Sequence, residues 1–316
     1  MIRACNVACL RDPIEFDNFF MKPANFEYHD PTTIAEALDL MARFGDQCRP
    51  LAGGQSLVPL MNFRLLRPAH VIDLNRVSGL NYLKMDNGTL RIGATTRQRE
   101  LEKSPIVARH WPLLREAAAF IGHIQIRNRG TVGGSLAHAF PSAELPVAMV
   151  TLGASMVLGK PNGQRIVAAE DFFLSFMTTA LEPSELLTEI QIPALPIHFH
   201  CGWSYQEVSR RYGDFALAGA AALIAVNANG DIGYCRLTLT GATPIRARSV
   251  EESLIGAKPS EALFQDAARR ASETLEPDSD IHASAEYRRS ACAALACRAL
   301  AQAAQRSAAM ANGTAP

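Results

Sequence analysis

The sequence predicts an α+β protein, and three patterns lead to this fold class. Apolar residues recur at helical spacing between Ile34 and Phe44. Two hairpin turns, Asp-Asn-Gly at 86–88 and Asn-Gly at 162–163, stand between segments that alternate apolar and polar residues. From about residue 200 onward, three predicted strands are followed only by helices, a segregation that is typical of α+β domains.

The first elements carry clear start and stop signals. Thr33 and Glu36 have the spacing of a capping box, so a helix is expected to begin there, and Gly45 is expected to end it. Short strands are predicted over 48–52 and 70–74.

The middle of the chain alternates between hairpins and helices. Pro112 is expected to separate two helices, and Pro146 suits the first turn of another. The hairpins are predicted over 82–95 and 155–167, the helices over 97–109, 113–120 and 146–152, and a further strand over 186–192.

The chain changes character after a linker at 193–196. We expect a three-stranded antiparallel sheet from 203–208, 215–227 and 232–241, then helices over 250–255, 262–275 and 285–306. The predicted organisation is therefore an N-terminal arm over 1–20, a first domain over 21–196 and a second domain over 197–316.

Composition excludes several functional classes. The 316 residues carry a formal net charge of zero, which argues against nucleic acid as the main partner. No apolar run has transmembrane length, and the first 20 residues lack the apolar core of a signal peptide, so a cytoplasmic protein is expected. The seven cysteines form no CxxC pair, and His198 and His200 have no third ligand nearby, so no metal or iron–sulfur site is expected in this chain.

Two paired-glycine segments are the best candidates for a ligand site. The first is Ala52, Gly53, Gly54, Gln55, Ser56 and Leu57, and the second contains Thr131, Gly133, Gly134 and Ser135. Together they could bind a pyrophosphate through backbone N–H groups, whereas the alternative is two independent tight turns. A GxGxxG fingerprint and a Walker loop are both absent, so a nicotinamide-type Rossmann site is not predicted.

Other polar residues have two interpretations each. Glu144 could accept hydrogen bonds from ribose or ribityl hydroxyls, or could simply be an acid in the first turn of a helix. His123 and His138 are more often packing residues than catalytic bases. The segment 209–215 is either an exposed turn with a local Arg–Asp ion pair or a loop that reaches back over a cofactor.

Four segments in this order resemble the FAD-binding medium subunit of the molybdenum hydroxylases, the xanthine dehydrogenase and aerobic carbon monoxide dehydrogenase family. They are the two glycine segments, the acid at Glu144 and Arg210-Arg211-x-Gly213-Asp214-Phe215-Ala216, and the lead-in 122–130 strengthens the match. The resemblance covers the chain from about Phe20 to the last helix.

The resemblance implies a fold and a set of site residues. The expected fold is an FAD-binding domain of the vanillyl-alcohol-oxidase (PCMH) type in two subdomains, followed by a C-terminal α+β domain. Both glycine segments would meet the FAD pyrophosphate, and Glu144 would hold the ribityl chain. The backbone of Leu186 or Leu187 would approach the flavin, and Phe215 would lie near the isoalloxazine ring.

The resemblance also implies partners and a role. A small subunit would carry iron–sulfur clusters and a large subunit the molybdopterin, assembled as a dimer of heterotrimers. This chain would carry electrons from the clusters through FAD to an external acceptor, so no catalytic residue is assigned to it. The alternatives are a self-sufficient flavin oxidase of the same superfamily and a non-catalytic nucleotide-binding assembly module.

Two positions depart from the family pattern. Phe140 stands where the family commonly has an aspartate, which removes a carboxylate close to the second glycine segment. Gln206 and Glu207 occupy positions where related enzymes often carry a lysine, and such a lysine would help to stabilise the reduced flavin anion. The sequence therefore leaves the flavin potential and the electron acceptor open.

Overall fold

The computed structural model of the chain describes residues 21–195 and 200–313. The predicted arm over 1–20, His198 and one end of the predicted linker lie outside the described residues. No helix in the described ranges is both long enough and apolar enough to cross a membrane.

The first part of the chain is a small parallel sheet with helices. Its three strands lie in the order β1-β3-β2 and are all parallel, and the elements are β1 (Glu27–His29), α1 (Ile34–Phe44), β2 (Cys48–Leu51), α2 (Leu57–Asn62) and β3 (His70–Asp73). The predicted capping box is confirmed: the Thr33 hydroxyl accepts a hydrogen bond from the Glu36 backbone N–H, and the Glu36 carboxylate accepts one from the Thr33 N–H. Burial of Leu38 and Met41 against Ile72 fixes α1 on the sheet.

The second part is built on a five-stranded antiparallel sheet in the order β4-β5-β10-β6-β7. Its strands are β4 (Leu83–Asp86), β5 (Thr89–Gly93), β6 (Ser155–Lys160), β7 (Gly163–Ala168) and β10 (Leu186–Ile192). Both predicted hairpins are confirmed as β4–β5 and β6–β7. A two-stranded ribbon, β8 (Phe173–Ser175) with β9 (Thr178–Thr179), follows the short helix α9 (Ala169–Phe172).

Six helices lie along the chain between β5 and β6. They are α3 (Gln98–Lys103), α4 (Pro105–His110), α5 (Pro112–Phe120), α6 (Ile124–Arg129), α7 (Val132–His138) and α8 (Glu144–Leu152). The single helix predicted over 97–109 is wrong, because Ser104 adopts an extended conformation, ends α3 and caps α4, whose first residue is Pro105. The predicted break at Pro112 is confirmed, since α4 ends at His110 and α5 begins with Pro112 as its first residue.

The last part is an antiparallel sheet covered by helices. Its strands are β11 (His200–Ser209), β12 (Ala216–Val226), β13 (Ile232–Leu239) and β14 (Ile245–Arg246), and its helices are α10 (Arg248–Leu254), α11 (Glu261–Glu273) and α12 (Ala285–Ala311). The predicted three-stranded sheet is therefore corrected to four strands. The added strand β14 is two residues long, too short for an alternating pattern to reveal it.

Strand β12 joins the two halves of the molecule, since both of its faces are buried. Ala221 and Leu223 face the core of the five-stranded sheet, while Ala222 and Ile224 face the core beneath α11 and α12. A strand buried on both faces has a continuous apolar sequence, as 216–226 does.

The close approach of α12 to the sheet depends on Gly202 in β11. A Cβ atom at this position would overlap the backbone carbonyl oxygen of Ala303 and lie 2.5 Å from the Ser307 N–H nitrogen. Neither neighbour is a flexible side chain, so the helix could only accommodate a methyl group by moving away from the sheet.

We therefore expect Gly202→Ala to destabilise the chain by about 3 kcal/mol or more, since overpacking against rigid groups costs at least about 1–3 kcal/mol. Urea unfolding followed by circular dichroism measures the change. Gln164→Ala, on exposed β7, is the control and should change the stability by less than about 0.5 kcal/mol. Equal stability of the two variants would show that α12 does not depend on this contact.

Candidate functional site

One large cleft brings the sequence-predicted site residues together. Its volume is about 1560 Å³. Every candidate lines it, namely Ala52, Gly53, Gly54, Gln55, Ser56, Leu57, Thr131, Gly133, Gly134, Ser135, Glu144, Leu187 and Phe215. The walls come from the small parallel sheet, the five-stranded unit and the C-terminal unit, so the cleft lies where the parts of the chain meet.

The two glycine segments touch each other through their backbones at Gly53. A Cβ atom on Gly53 would lie 2.5 Å from the Arg129 carbonyl oxygen, 2.8 Å from Gly130 Cα and 3.0 Å from the Thr131 nitrogen. Only glycine permits this approach, because the neighbouring atoms are all backbone. The alternative of two independent turns is therefore wrong.

A short polar network reinforces this contact. The Arg97 guanidinium donates to the Arg129 carbonyl oxygen at 2.5 Å and to Asn75 Oδ1 at 2.7 Å. Asn75 Nδ2 in turn donates to the Ala52 carbonyl oxygen at 2.9 Å. Arg97 and Asn75 were missed by sequence reasoning, since nothing in their local pattern distinguishes them from exposed polar residues.

The first glycine segment offers donors to the cleft. Gly54 has a φ of 74°, which turns the chain between β2 and α2. Among the described residues, none accepts a hydrogen bond from the backbone N–H of Gly53, Gly54, Gln55 or Ser56. A row of free N–H groups on a concave surface suits an anion.

The second glycine segment is different from what its sequence predicted. Gly133 and Gly134 lie inside the first turn of α7 rather than in a loop before it. Their N–H groups already donate to the Ala94 carbonyl oxygen and to Thr131 Oγ1, at 2.8 and 3.1 Å. A Cβ atom on Gly133 would lie 2.6 Å from the Ala94 Cβ, so this segment mainly supplies a close-fitting wall and fewer donors than expected.

Glu144 enters the cleft from the start of α8 and is almost completely buried, with 7% of its surface exposed. Burial raises the pKa of its carboxyl group to about 7, although a backbone hydrogen bond and the nearby Arg127 charge oppose this. Arg127 is itself buried, and it donates to the Ile121 carbonyl oxygen at 2.8 Å and to Glu102 at 3.0 Å. Glu144 is thus a carboxyl group that can donate as well as accept a hydrogen bond near neutral pH.

A second acid, the half-buried Glu207 of β11, interacts with Glu144 through its charge. Burial, together with the charge of Glu144, raises the pKa of Glu207 to about 8. The fully buried Tyr205 hydroxyl donates to Glu207 Oε2 at 3.2 Å. In the sequence, Glu207 was noted only as a departure from the family pattern. Its interaction with Glu144 depends on how the C-terminal sheet packs against the preceding helices, which the sequence does not show.

The segment 210–215 covers one side of the cleft. Gly213 has a φ of 87° and packs directly on the His123 ring, and Tyr212 lies 6.1 Å from the same ring. The segment is exposed, as the exposed-turn alternative predicted, but within the described residues Asp214 forms none of the expected ion pairs with an arginine. Arg210 instead contacts His282 Nδ1 at 2.7 Å, another residue of the cleft.

Three aromatic rings, those of His138, Phe140 and Phe215, line the cleft around position 140, where the family commonly has an aspartate. Phe140 is stacked parallel to His138 at 6.2 Å and lies 4.6 Å from the Phe215 ring. Burial lowers the pKa of His138, which favours its neutral form. The carboxylate is therefore replaced by an apolar, aromatic surface that includes Phe215, and Phe215 is still 71% exposed.

Comparison with protein families finds two matches that together span most of the chain. Residues 24–195 match the FAD binding domain in molybdopterin dehydrogenase, and residues 203–303 match the CO dehydrogenase flavoprotein C-terminal domain. The first match spans the parallel sheet and the five-stranded unit, and the second spans most of the C-terminal sheet with its helices.

Similar proteins cover nearly the full length of the chain. The beta subunit of caffeine dehydrogenase from Pseudomonas sp. (strain CBB1) is 42% identical over 289 residues, which are 90% of this chain and 97% of that protein. The alpha subunit of the 6-hydroxypseudooxynicotine dehydrogenase complex from Paenarthrobacter nicotinovorans is 40% identical, with the same coverage. Among solved structures, a chain of carbon monoxide dehydrogenase from Hydrogenophaga pseudoflava superimposes with a TM-score of 0.87 at 38% identity, covering 90% of this chain and 99% of that one.

The raised pKa values of Glu144 and Glu207 predict a specific pH dependence. Their pKa values are higher in the folded chain than the ordinary value of 4.5, so the folded state binds more protons, and the free energy of unfolding falls as the pH rises from about 5 to 8. Glu207→Gln should reduce this fall over the whole range from about pH 5 to 8, because Glu207 keeps its proton only in the folded state there. Above about pH 7 it should remove most of the remaining fall, since Glu144 has by then lost its proton in both states. Each tenfold difference in proton affinity between the folded and unfolded chain contributes about 1.4 kcal/mol to the fall.

Urea unfolding of the full chain at pH 5.5, 7.0 and 8.5 measures the effect. Glu252→Gln, which changes an exposed acid on α10, is the matched control and should keep the wild-type slope. A Glu207→Gln chain with the wild-type slope would contradict the raised pKa of Glu207.

Proposed function

Since the chain belongs to the FAD-binding medium subunits of the molybdenum hydroxylases, we propose that its cleft holds the FAD through which electrons leave the complex. The chain is the flavoprotein component of an oxidoreductase and acts with small and large subunits that carry the iron–sulfur clusters and the molybdenum cofactor. When bound, FAD supplies the redox chemistry, and the protein supplies binding, orientation and electrostatics.

The single observation that carries this proposal is the backbone contact between the two glycine segments at Gly53. The cleft wall at this contact consists of backbone atoms, and the free N–H groups of 53–56 lie beside it. The hydroxyl groups of Ser56 and Ser135 line the same cleft and make no hydrogen bond to another described residue. This donor set fits a pyrophosphate, because backbone N–H and hydroxyl groups bind phosphate oxygens without a net protein charge.

We propose that the redox half of the cofactor lies against Glu144, Leu187 and Phe215. These residues line the cleft together with Phe140 and His138, and Phe140 packs against Phe215. We assign Glu144 to the ribityl hydroxyls, Leu187 to the flavin edge and Phe215 to the isoalloxazine ring. The partly exposed Phe215 would be covered by the ring or by a neighbouring subunit.

Two finer features of the assembly complete the proposal. We propose a dimer of heterotrimers, as in the family that the sequence resembles, and domain limits of 21–196 and 197–316. The cytoplasmic location expected from the sequence stays a prediction.

Replacement of Gly53 should remove FAD from the chain. In Gly53→Ala the new methyl group would force the first glycine segment away from residues 129–131, and we expect at least a tenfold loss of FAD affinity. The flavin-to-protein absorbance ratio of the purified complex measures it.

Gly230→Ala is the matched control. Gly230 has a φ of 81°, so alanine there is strained by about 1 kcal/mol, but no atom lies within 4 Å of its Cβ position and it is remote from the cleft. This variant should retain FAD. Full FAD occupancy in Gly53→Ala, or equal loss in both variants, would count against the proposed pyrophosphate site.

Electron transfer is tested with the purified complex and its substrate under anaerobic conditions. Bleaching of the flavin absorbance is expected only when the iron–sulfur and molybdenum subunits are present. Reduction of the isolated FAD-loaded chain by the same substrate would instead favour a self-sufficient oxidase. Binding of FAD without any reduction in the intact complex would favour an assembly module.

A further inference from the structure

Two histidines and a glutamate form a compact cluster on the parallel sheet, apart from the cleft. His29 Nε2 lies 3.2 Å from His70 Nδ1. Glu27 Oε1 lies 3.7 Å from His29 Nε2, and Glu27 Oε2 lies 3.4 Å from His70 Nδ1. None of the three residues lines the cleft described above.

The sheet itself brings these side chains to one face. Glu27 and His29 are two positions apart on β1, so their side chains point to the same side. Parallel pairing of β1 with β3 sets Glu27 directly beside His70. The cluster is therefore fixed by strand register and does not depend on a flexible loop.

The atoms have the chemistry of a metal site. Two imidazole nitrogens and a carboxylate are ligands that Zn²⁺ commonly takes, with a water in the fourth position where the site is open. Ligand atoms at about 2.0–2.1 Å from a tetrahedral ion stand about 3.3–3.4 Å apart. The 3.2 Å separation of the two imidazole nitrogens lies close to this value. Each nitrogen has a different Glu27 oxygen near it, at 3.7 and 3.4 Å, and one ligand atom from each of the three residues lies within 4.8 Å of the other two.

The surroundings hold the two imidazole rings in place. Phe44 stacks on His70 with ring centres 3.7 Å apart and lies 5.0 Å from His29. The side chains of His29 and His70 are only 14% and 16% exposed, whereas Glu27 is 65% exposed at the mouth of the cluster. An ion can thus enter past Glu27, and solvent can supply a fourth ligand.

We propose that Glu27, His29 and His70 form a binding site for one divalent transition-metal ion of the Zn²⁺ type. The bound ion would link β1 to β3 and so stabilise the β1 edge of the parallel sheet. The opposite edge strand, β2, leads into the first glycine segment. A direct imidazole–imidazole hydrogen bond is the alternative explanation of the 3.2 Å distance, and it requires no ion.

The test is calorimetric titration of Zn²⁺ into the full-length, FAD-loaded chain after treatment with EDTA. One saturable site per chain is expected. Glu27→Gln and His70→Gln should each weaken binding at least tenfold, and because glutamine keeps the approximate size and hydrogen bonding of these side chains, the fold should persist. His110→Ala, which removes an exposed histidine of α4, is the matched control and should bind Zn²⁺ as the wild type does.

A crystal soaked with Zn²⁺ locates the ion independently, through an anomalous difference peak expected between the three side chains. Absence of saturable binding would overturn the proposal and favour the hydrogen-bonded pair. Binding that survives both Glu27→Gln and His70→Gln, or a peak elsewhere on the chain, would also overturn it. These outcomes are independent of the proposed electron transfer, since none of them measures flavin reduction.

Discussion

The contact on which the site depends is the approach of two backbones at Gly53. It joins a loop of the small parallel sheet to the segment that leads from α6 into α7, which belongs to the five-stranded unit. No side chain could form this contact, since the atoms that face Gly53 belong to the backbone of 129–131. The cleft therefore exists because two pieces of the fold meet at a position where one of them has no side chain.

The two glycine segments that meet at Gly53 differ in how their backbone N–H groups are hydrogen-bonded. The loop at 53–56 keeps its N–H groups free, because it is neither strand nor helix. The segment at 131–135 directs its glycine N–H groups to Ala94 and Thr131, because it is already the first turn of α7. Similar sequences thus have different local structures: the first leaves its N–H groups free, and the second packs closely against Ala94.

Two acids with raised pKa values, and no lysine at positions 206 and 207, distinguish the part of the chain where we propose the redox half of FAD. Glu144 and Glu207 come from α8 and β11, and both lie in surroundings that disfavour charge. Phe140 extends this apolar character by packing between His138 and Phe215. At the proposed flavin position, Glu144 and these aromatic rings supply no positive charge, so we expect them to stabilise a reduced flavin anion less than a lysine would.

The sequence by itself determined the local elements and the family. Period, capping and turn chemistry were enough for α1, both hairpins and the strands β10 to β13, because these signals depend on neighbours along the chain. The order of the family motifs along the chain was enough to identify the candidate cofactor-binding residues, all of which line the cleft. Only the tertiary structure decided that Gly133 and Gly134 lie within a helix, that β14 adds a fourth strand, and that Arg97 and Asn75 reinforce the contact at Gly53. It alone paired Glu207 with Glu144 and set His70 beside Glu27, because contacts between distant segments follow from strand register and packing, which no local pattern records.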